Sequence, residues 1–267
     1  MRISDAPEGM ESAVYSAMSE RSVGLGVMGF HSFLQARGIP FESALAKSWN
    51  LRFFRTVRRA ADAASVRLAD ERGPCPDAAD CNIRARFSHK LAIAPTASIS
   101  IICGGTSACI EPIPANIYTH KPLSGSISVR NPHLERLLAA RGADTPAVWQ
   151  SIIEHEGSVQ HLDVLSDDEK AVFRTAFEID QRWIVDFAAD RTPFLCQSQS
   201  INLYLPGDID KWDLHMLHWT AWERGLKSLY YCRSKSVQRA AFAGGNRDRG
   251  PDTAPARTDY EECLACQ

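Results

Sequence analysis

No run of about 18 apolar residues occurs anywhere in the 267-residue chain, so the sequence offers no membrane-spanning helix. The opening residues, Met1-Arg2-Ile3-Ser4-Asp5, lack the apolar centre of a secretory signal, and the expected location is the cytoplasm. Charge of one sign is also missing. With 30 Lys and Arg against 32 Asp and Glu, the formal net charge is −2, which leaves no basic field to draw the chain to nucleic acid. Any phosphate must therefore be held by a local site. Closely spaced cysteines are scarce: of Cys75, Cys81, Cys103, Cys109, Cys196, Cys232, Cys263 and Cys266, only the last two form a short-spaced pair. A secreted disulfide scaffold is excluded by that spacing and by chain length. A second Cys-x-x-Cys or a His-x-x-x-His is absent, so no zinc site is expected and no metal ligands are assigned.

What is present suits a folded, globular protein. A hydrophobic content of 45% is enough to bury a full core in one large domain or two small ones. Residues 10–36 read as helix, glycine-rich turn and helix, and Pro40-Phe41-Glu42-Ser43 opens a longer helix on which Phe53, Val57, Ala60 and Ala64 define a buried face. Residues 73–84 read as a loop. Leu91-Ala92-Ile93-Ala94 is a short apolar strand stopped by Pro95, and residues 110–135 form an extended excursion followed by helix from about Pro132. Helical periodicity spans Glu169 to Ala189, Ser200 to Leu205 is a strand ended by Pro206-Gly207, Leu214 to Arg224 is a helix stopped by Gly225, and Leu226 to Cys232 is the next strand. Strands alternating with helices imply an α/β architecture over residues 1–237. From about Gln238 the composition turns to Gly, Asn, Arg, Asp, Pro and Thr, and residues 238–267 are expected to be a disordered tail.

Four motifs carry the chemistry. Gly24-Leu25-Gly26-Val27-Met28-Gly29 fits the dinucleotide fingerprint, with Glu42 near the position of the ribose-binding acid. The polar Ser19-Glu20-Arg21-Ser22 supplies no buried strand before the turn, so close packing against glycine is the preferred use. Pro95-Thr96-Ala97-Ser98 follows a strand at a helix start, where free backbone N–H groups and hydroxyls can hold a phosphate; taken alone, a plain Ser/Thr cap explains it as well or better. Tyr230-Tyr231 is an adjacent phenol pair. Strand geometry would place one ring in the core and one at the surface, whereas two stacked phenols at a strand end could relay an electron and a proton. Cys263-Leu264-Ala265-Cys266 is a dithiol separated from Tyr231 by roughly 30 residues, a flexible reach on the order of 30 Å.

These motifs, in this order, resemble the large, catalytic subunit of class I ribonucleotide reductases. Further landmarks carry the resemblance: Arg21-Ser22-Val23-Gly24-Leu25-Gly26-Val27, Ile110-Glu111-Pro112, Leu123-Ser124-Gly125, Asn131-Pro132, Gln199-Ser200-Ile201-Asn202, Gly225-Leu226-Lys227 and Leu229-Tyr230-Tyr231. The resemblance implies the C-terminal half of a ten-stranded α/β barrel with a flexible redox tail. It implies that Pro95, Thr96, Ala97 and Ser98 bind the diphosphate of a ribonucleoside diphosphate. Tyr230 and Tyr231 would carry the radical, and Cys263 and Cys266 would re-reduce the active-site disulfide at the expense of thioredoxin or glutaredoxin. No cofactor is expected on the chain itself, since the radical would come from a metal-containing small subunit.

The departures set a further expectation. The family's radical cysteine lies upstream of the glycine turn, and residues 1–20 contain no cysteine. The missing N-terminal part of the large subunit is therefore an expected partner, and the chain alone is expected to be inactive. Cys103 and Cys109 match no family motif. Two rivals stand beside this reading: a non-catalytic remnant that binds the small subunit or the full-length large subunit, and a stand-alone dinucleotide-dependent oxidoreductase.

Overall fold

The computed structural model describes residues 6–120 and 127–235; the Leu123-Ser124-Gly125 landmark, the expected tail 238–267 and the pair Cys263 and Cys266 lie outside them. Helix α1 (Glu11–Glu20) precedes the glycine turn, α2 (Phe30–Gln35) follows it, and α3 (Ala44–Arg72) is the long helix expected from Pro40 onward. Ser43 starts α3 by accepting a hydrogen bond from the Ala46 N–H. Of the expected face, Val57 packs partly buried against the main core, but Phe53 and Ala60 are exposed. Phe54 is 1% exposed and Phe53 38%, and the inward series runs through Ala46, Asn50, Phe54, Ser65 and Ala69. The polar members explain the offset. The Asn50 amide donates to the Phe187 carbonyl, and Ser65 Oγ accepts from the Arg86 and Phe87 N–H groups, so they are buried for hydrogen bonding where hydrophobic periodicity alone points elsewhere.

The expected loop at 73–84 contains a short helix, α4 (Pro76–Asp80), with proline in its first turn where no N–H is needed. Helix α5 (Ala97–Ile102) follows the Pro95 loop, and the excursion from residue 110 becomes an antiparallel hairpin of β1 (Ile117–His120) and β2 (Ile127–Arg130). Then come α6 (Pro132–Ala140), α7 (Pro146–Glu154), α8 (Asp167–Val172) and α9 (Gln181–Arg191). The single periodic segment expected from Glu169 to Ala189 is thus two helices. Capping interrupts it: Glu178 accepts from the Thr175 N–H, the Ala176 N–H is drawn to the Ile113 carbonyl, and Asp180 caps α9 through the Arg182 N–H. Phe173, Phe177 and Ile179 therefore sit in the connection and not along a helix face.

Strand β3 (Leu203–Pro206), α10 (Lys211–Glu223) and β4 (Cys232–Lys235) close the described chain, with Gly225 just past the α10 end in the left-handed region. The strand expected over Leu226–Cys232 begins only at Cys232. Four short segments run parallel side by side: Leu25 bridges Leu91, Ile93 bridges Gln199, and β3 pairs with β4 in the register Leu203 to Cys232. Each crossover passes through helices, as a parallel ribbon requires. Among the described residues neither outer edge, at Leu25 or at β4, has a further strand. The glycine turn builds the first edge. A Cβ on Gly26 would come within 2.9 Å of the Ala92 carbonyl oxygen, and Gly29, at φ +79°, starts α2 where a Cβ would strike the Thr106 hydroxyl. Glu42 accepts from the Asp180 N–H and pairs with Arg174, which commits it to the lead-in of α9.

The main core gathers Phe30, Leu34, Phe41, Phe54, Leu91, Ile93, Phe187 and Ile201 between the ribbon and α2, α3 and α9. A second core, with Leu134, Leu138, Trp149, Ile152, Val159, Leu165 and Phe173, lies under β1 and α6 to α8. No helix among the described residues is long and apolar enough to cross a membrane.

Candidate active site

Pro95 ends the second ribbon strand and Thr96 turns the chain into α5 at φ 53°, a left-handed conformation that costs a residue with a Cβ on the order of 1 kcal/mol. The Thr96 hydroxyl does not cap its own helix. It accepts instead from the Cys109 N–H at 2.8 Å, which ties the start of α5 to the segment returning from its far end. Pro95, Thr96 and Ala97 are half-buried, and Ser98, in the first turn of α5, is the exposed member of the loop.

Two residues beyond Cys109 is a buried carboxylate that the sequence marked only as part of a landmark. Glu111 Oε1 accepts from the Asn202 backbone N–H at 2.7 Å; Oε2 accepts from Asn202 Nδ2 at 3.0 Å and from the Tyr204 hydroxyl at 3.1 Å. Burial pushes the Glu111 carboxyl above its usual range, and the bonds from Asn202 and Tyr204, with the Arg233 guanidinium, pull the other way. Burial, reinforced by Glu111, also raises the Tyr204 phenol. The Cys109 thiol is buried and pushed up to about 12 by desolvation and then by Glu111, so it is a neutral thiol at physiological pH. Its Sγ lies 3.8 Å from the Ser200 carbonyl. Arg191, entirely buried, donates from Nε to Asn50 Oδ1 and lies over the Phe54 ring at 5.4 Å; burial lowers it to about 9, against the pull of Cys109, Asp190 and Glu111. A buried glutamate between Ile110 and Pro112 is the one sequence signal that could have found this cluster. Arg191 at a helix end gives none.

Tyr230 and Tyr231 precede β4 and hang on β3 by their backbone. The Tyr230 N–H donates to the Ile201 carbonyl at 2.8 Å, and the Leu203 N–H donates to the Tyr231 carbonyl at 2.9 Å. The Tyr231 N–H leaves the ladder and donates to Asn202 Oδ1 at 3.1 Å. That departure is why the pair lies outside the strand, and why the alternation of a regular strand fails to separate the rings. Their centroids are 4.2 Å apart at 58°, and they are 40% and 42% exposed, so neither ring is in the core. Arg233 lies 5.5 Å over the Tyr231 ring. Loop and tyrosines are thus joined by hydrogen bonds from Thr96 to Cys109 and from Glu111 through Asn202 to Tyr231, with the backbone of residues 109–111 between the two.

The family model described as ribonucleotide reductase, barrel domain, matches residues 3–84 and 79–232 of the chain. The chain belongs to the ribonucleotide reductase large-subunit family. It is 46% identical over 248 residues to the ribonucleoside-diphosphate reductase large subunit of Invertebrate iridescent virus 6, covering 91% of this chain and 26% of that protein. The corresponding protein of Invertebrate iridescent virus 3 is 44% identical over 238 residues, covering 88% and 38%. Among solved structures, the alpha subunit of the Actinobacillus ureae class Id ribonucleotide reductase superposes with a TM-score of 0.81 at 39% identity, covering 87% of this chain and 42% of that one. The chain therefore spans between a quarter and about two fifths of these relatives. Its parallel ribbon is part of the reductase barrel, and the glycine turn belongs to that barrel, where the dinucleotide reading fails for want of a free acid at Glu42.

Proposed function

We propose that the chain is the C-terminal part of a ribonucleoside-diphosphate reductase large subunit and that it contributes three elements to deoxyribonucleotide synthesis. Pro95, Thr96, Ala97 and Ser98 hold the substrate diphosphate, using backbone donors and the Ser98 hydroxyl at the α5 start. Tyr230 and Tyr231 relay the oxidising equivalent from a metal-containing small subunit towards the substrate. Cys263 and Cys266, outside the described residues, return two electrons and two protons to the active-site disulfide, become a disulfide themselves, and are restored by thioredoxin or glutaredoxin. The radical thiol comes from the front part of the large subunit, and the assembly works in the cytoplasm.

The observation that carries this reading is the ring contact of Tyr230 and Tyr231, two half-exposed phenols whose centroids lie 4.2 Å apart at the open edge of the ribbon. Two rings in contact with one another and exposed alike support the relay reading over a strand that would place one ring in the core and one at the surface. In the assembled enzyme, Tyr230→Phe and Tyr231→Phe keep the rings and remove the oxidisable hydroxyl. Each is expected to leave folding intact and to cut turnover at least about a hundredfold, about 2.7 kcal/mol on the barrier. Retention of most activity by both single variants would return the pair to a packing role.

A further inference from the structure

Asn202 can turn its amide either way, and its surroundings choose. Its Nδ2 faces Glu111 Oε2 and its backbone N–H faces Glu111 Oε1, both acceptors. With three donors converging on its two oxygens, Glu111 acts as an acceptor, so the side chain of Asn202 must offer its N–H₂ to Glu111 and its carbonyl oxygen to the other side. The group on the other side is the Tyr231 N–H, which has left the β ladder to meet it. Glu111 is itself fixed: it is buried, its carboxyl receives a third bond from the Tyr204 hydroxyl, and its segment is anchored two residues earlier by the Cys109 to Thr96 bond.

We infer that Glu111 and Asn202 are positioning residues, in which the accepting carboxyl sets the polarity of the Asn202 amide and thereby holds the backbone of Tyr231, and with it the ring contact to Tyr230. The functional weight of this link rests on the relay reading of the tyrosine pair. The link itself is a statement about polarity and can be tested without turnover.

Glu111→Gln is nearly isosteric but brings an amide N–H₂ into the cluster. Turned toward Asn202, that N–H₂ requires the Asn202 oxygen as acceptor, the Asn202 amide rotates, and two donors then face each other at Tyr231. Hydrogen exchange resolved to single amides in the full chain reads this directly. The Tyr231 amide is expected to exchange at least about tenfold faster in Glu111→Gln. The Tyr230 and Leu203 amides, whose acceptors are backbone carbonyls, should keep their rates within about threefold. Tyr204→Phe, which removes a donor to Glu111 without altering the polarity of Asn202, should leave Tyr231 protected.

Should Glu111→Gln fail to fold, the double variant Glu111→Leu/Asn202→Leu removes the buried carboxyl together with the amide, and the same selective loss at Tyr231 is expected. Unchanged protection of Tyr231, or equal loosening of all three amides, overturns the assignment. In the assembled reductase, the variant should lower kcat and leave KM for the nucleoside diphosphate unchanged. If Tyr230→Phe and Tyr231→Phe both keep activity, the relay falls, and the exchange result still decides the link.

Discussion

The lobe of residues 127–180 and the parallel ribbon with its helices solve the same burial problem to different degrees. Among the described residues, the lobe exposes no large hydrophobic side chain: Leu134, Leu138, Trp149, Ile152, Val159, Leu165 and Phe173 close on one another beneath helices with their own caps. The ribbon side exposes Val23, Leu25, Trp212, Trp219, Trp222, Tyr230 and Tyr231 and, among the described residues, has a free strand edge at either end. Every candidate functional motif among the described residues lies on the ribbon side. Local sequence closes the lobe; the ribbon belongs to the reductase barrel, and its buried polar braces, Asn50, Glu111, Gln181, Arg191 and Asn202, hold it in register.

The largest expected effect tests whether the lobe's core is its own. Trp149 is fully buried, donates from its indole to Asp144 at 2.7 Å and carries Arg130 over its ring. Trp149→Ala should cost about 3–5 kcal/mol of lobe stability, read by denaturant titration with site-resolved exchange. The ribbon amides of Ile93 and Ser200 should keep their protection; if they are lost together with the lobe, the two regions form one cooperative unit and the contrast fails.

A smaller effect is expected at the joint. His31, wholly buried on α2, accepts the Ile113 N–H on Nδ1 and is lowered to about 3 by burial, against the pull of the Val172 carbonyl. The folded state therefore binds fewer protons than the unfolded state, in which the ordinary value of about 6.5 applies. Its contribution is constant above about pH 6.5 and is lost as pH falls toward 3, a loss of about 2 kcal/mol by pH 5. His31→Asn retains an acceptor and removes the titration, so its stability curve should lose that slope. An unchanged slope would place the acid sensitivity in another group.

The smallest is a cap. Ser166 and Glu169 close a reciprocal capping box at the start of α8, and Ser166→Ala should cost about 1 kcal/mol, confined to the lobe and measurable as a fall in its exchange protection.

How much of this was legible in the sequence follows the same division. Helix positions for α2, α3, α6 and α10 were readable from periodicity and from Pro and Gly punctuation. Where polar residues do the packing, the reading slipped: Asn50 and Ser65 rotated the face of α3, and Glu178 with Asp180 split a continuous apolar period into α8 and α9. At the site, Tyr230-Tyr231 and Pro95-Ser98 stood out as motifs. The hydrogen bonds that link them did not, because Glu111 and Asn202 are 91 residues apart and nothing local announces their pairing. The start of β4 was misplaced for the same reason, since the Tyr231 N–H is taken by a side chain distant in sequence.

The central claim is that this chain supplies one part of a reductase whose radical thiol lies in another. It is tested most directly by assaying ribonucleoside diphosphate reduction, with small subunit and dithiol present, for this chain alone and for the chain co-expressed with a front fragment of a large subunit. The account predicts deoxyribonucleotide only from the pair, because a thiyl radical must be held over the ribose to within about an ångström. Product from the chain alone, or none from a stably assembled pair, would contradict it.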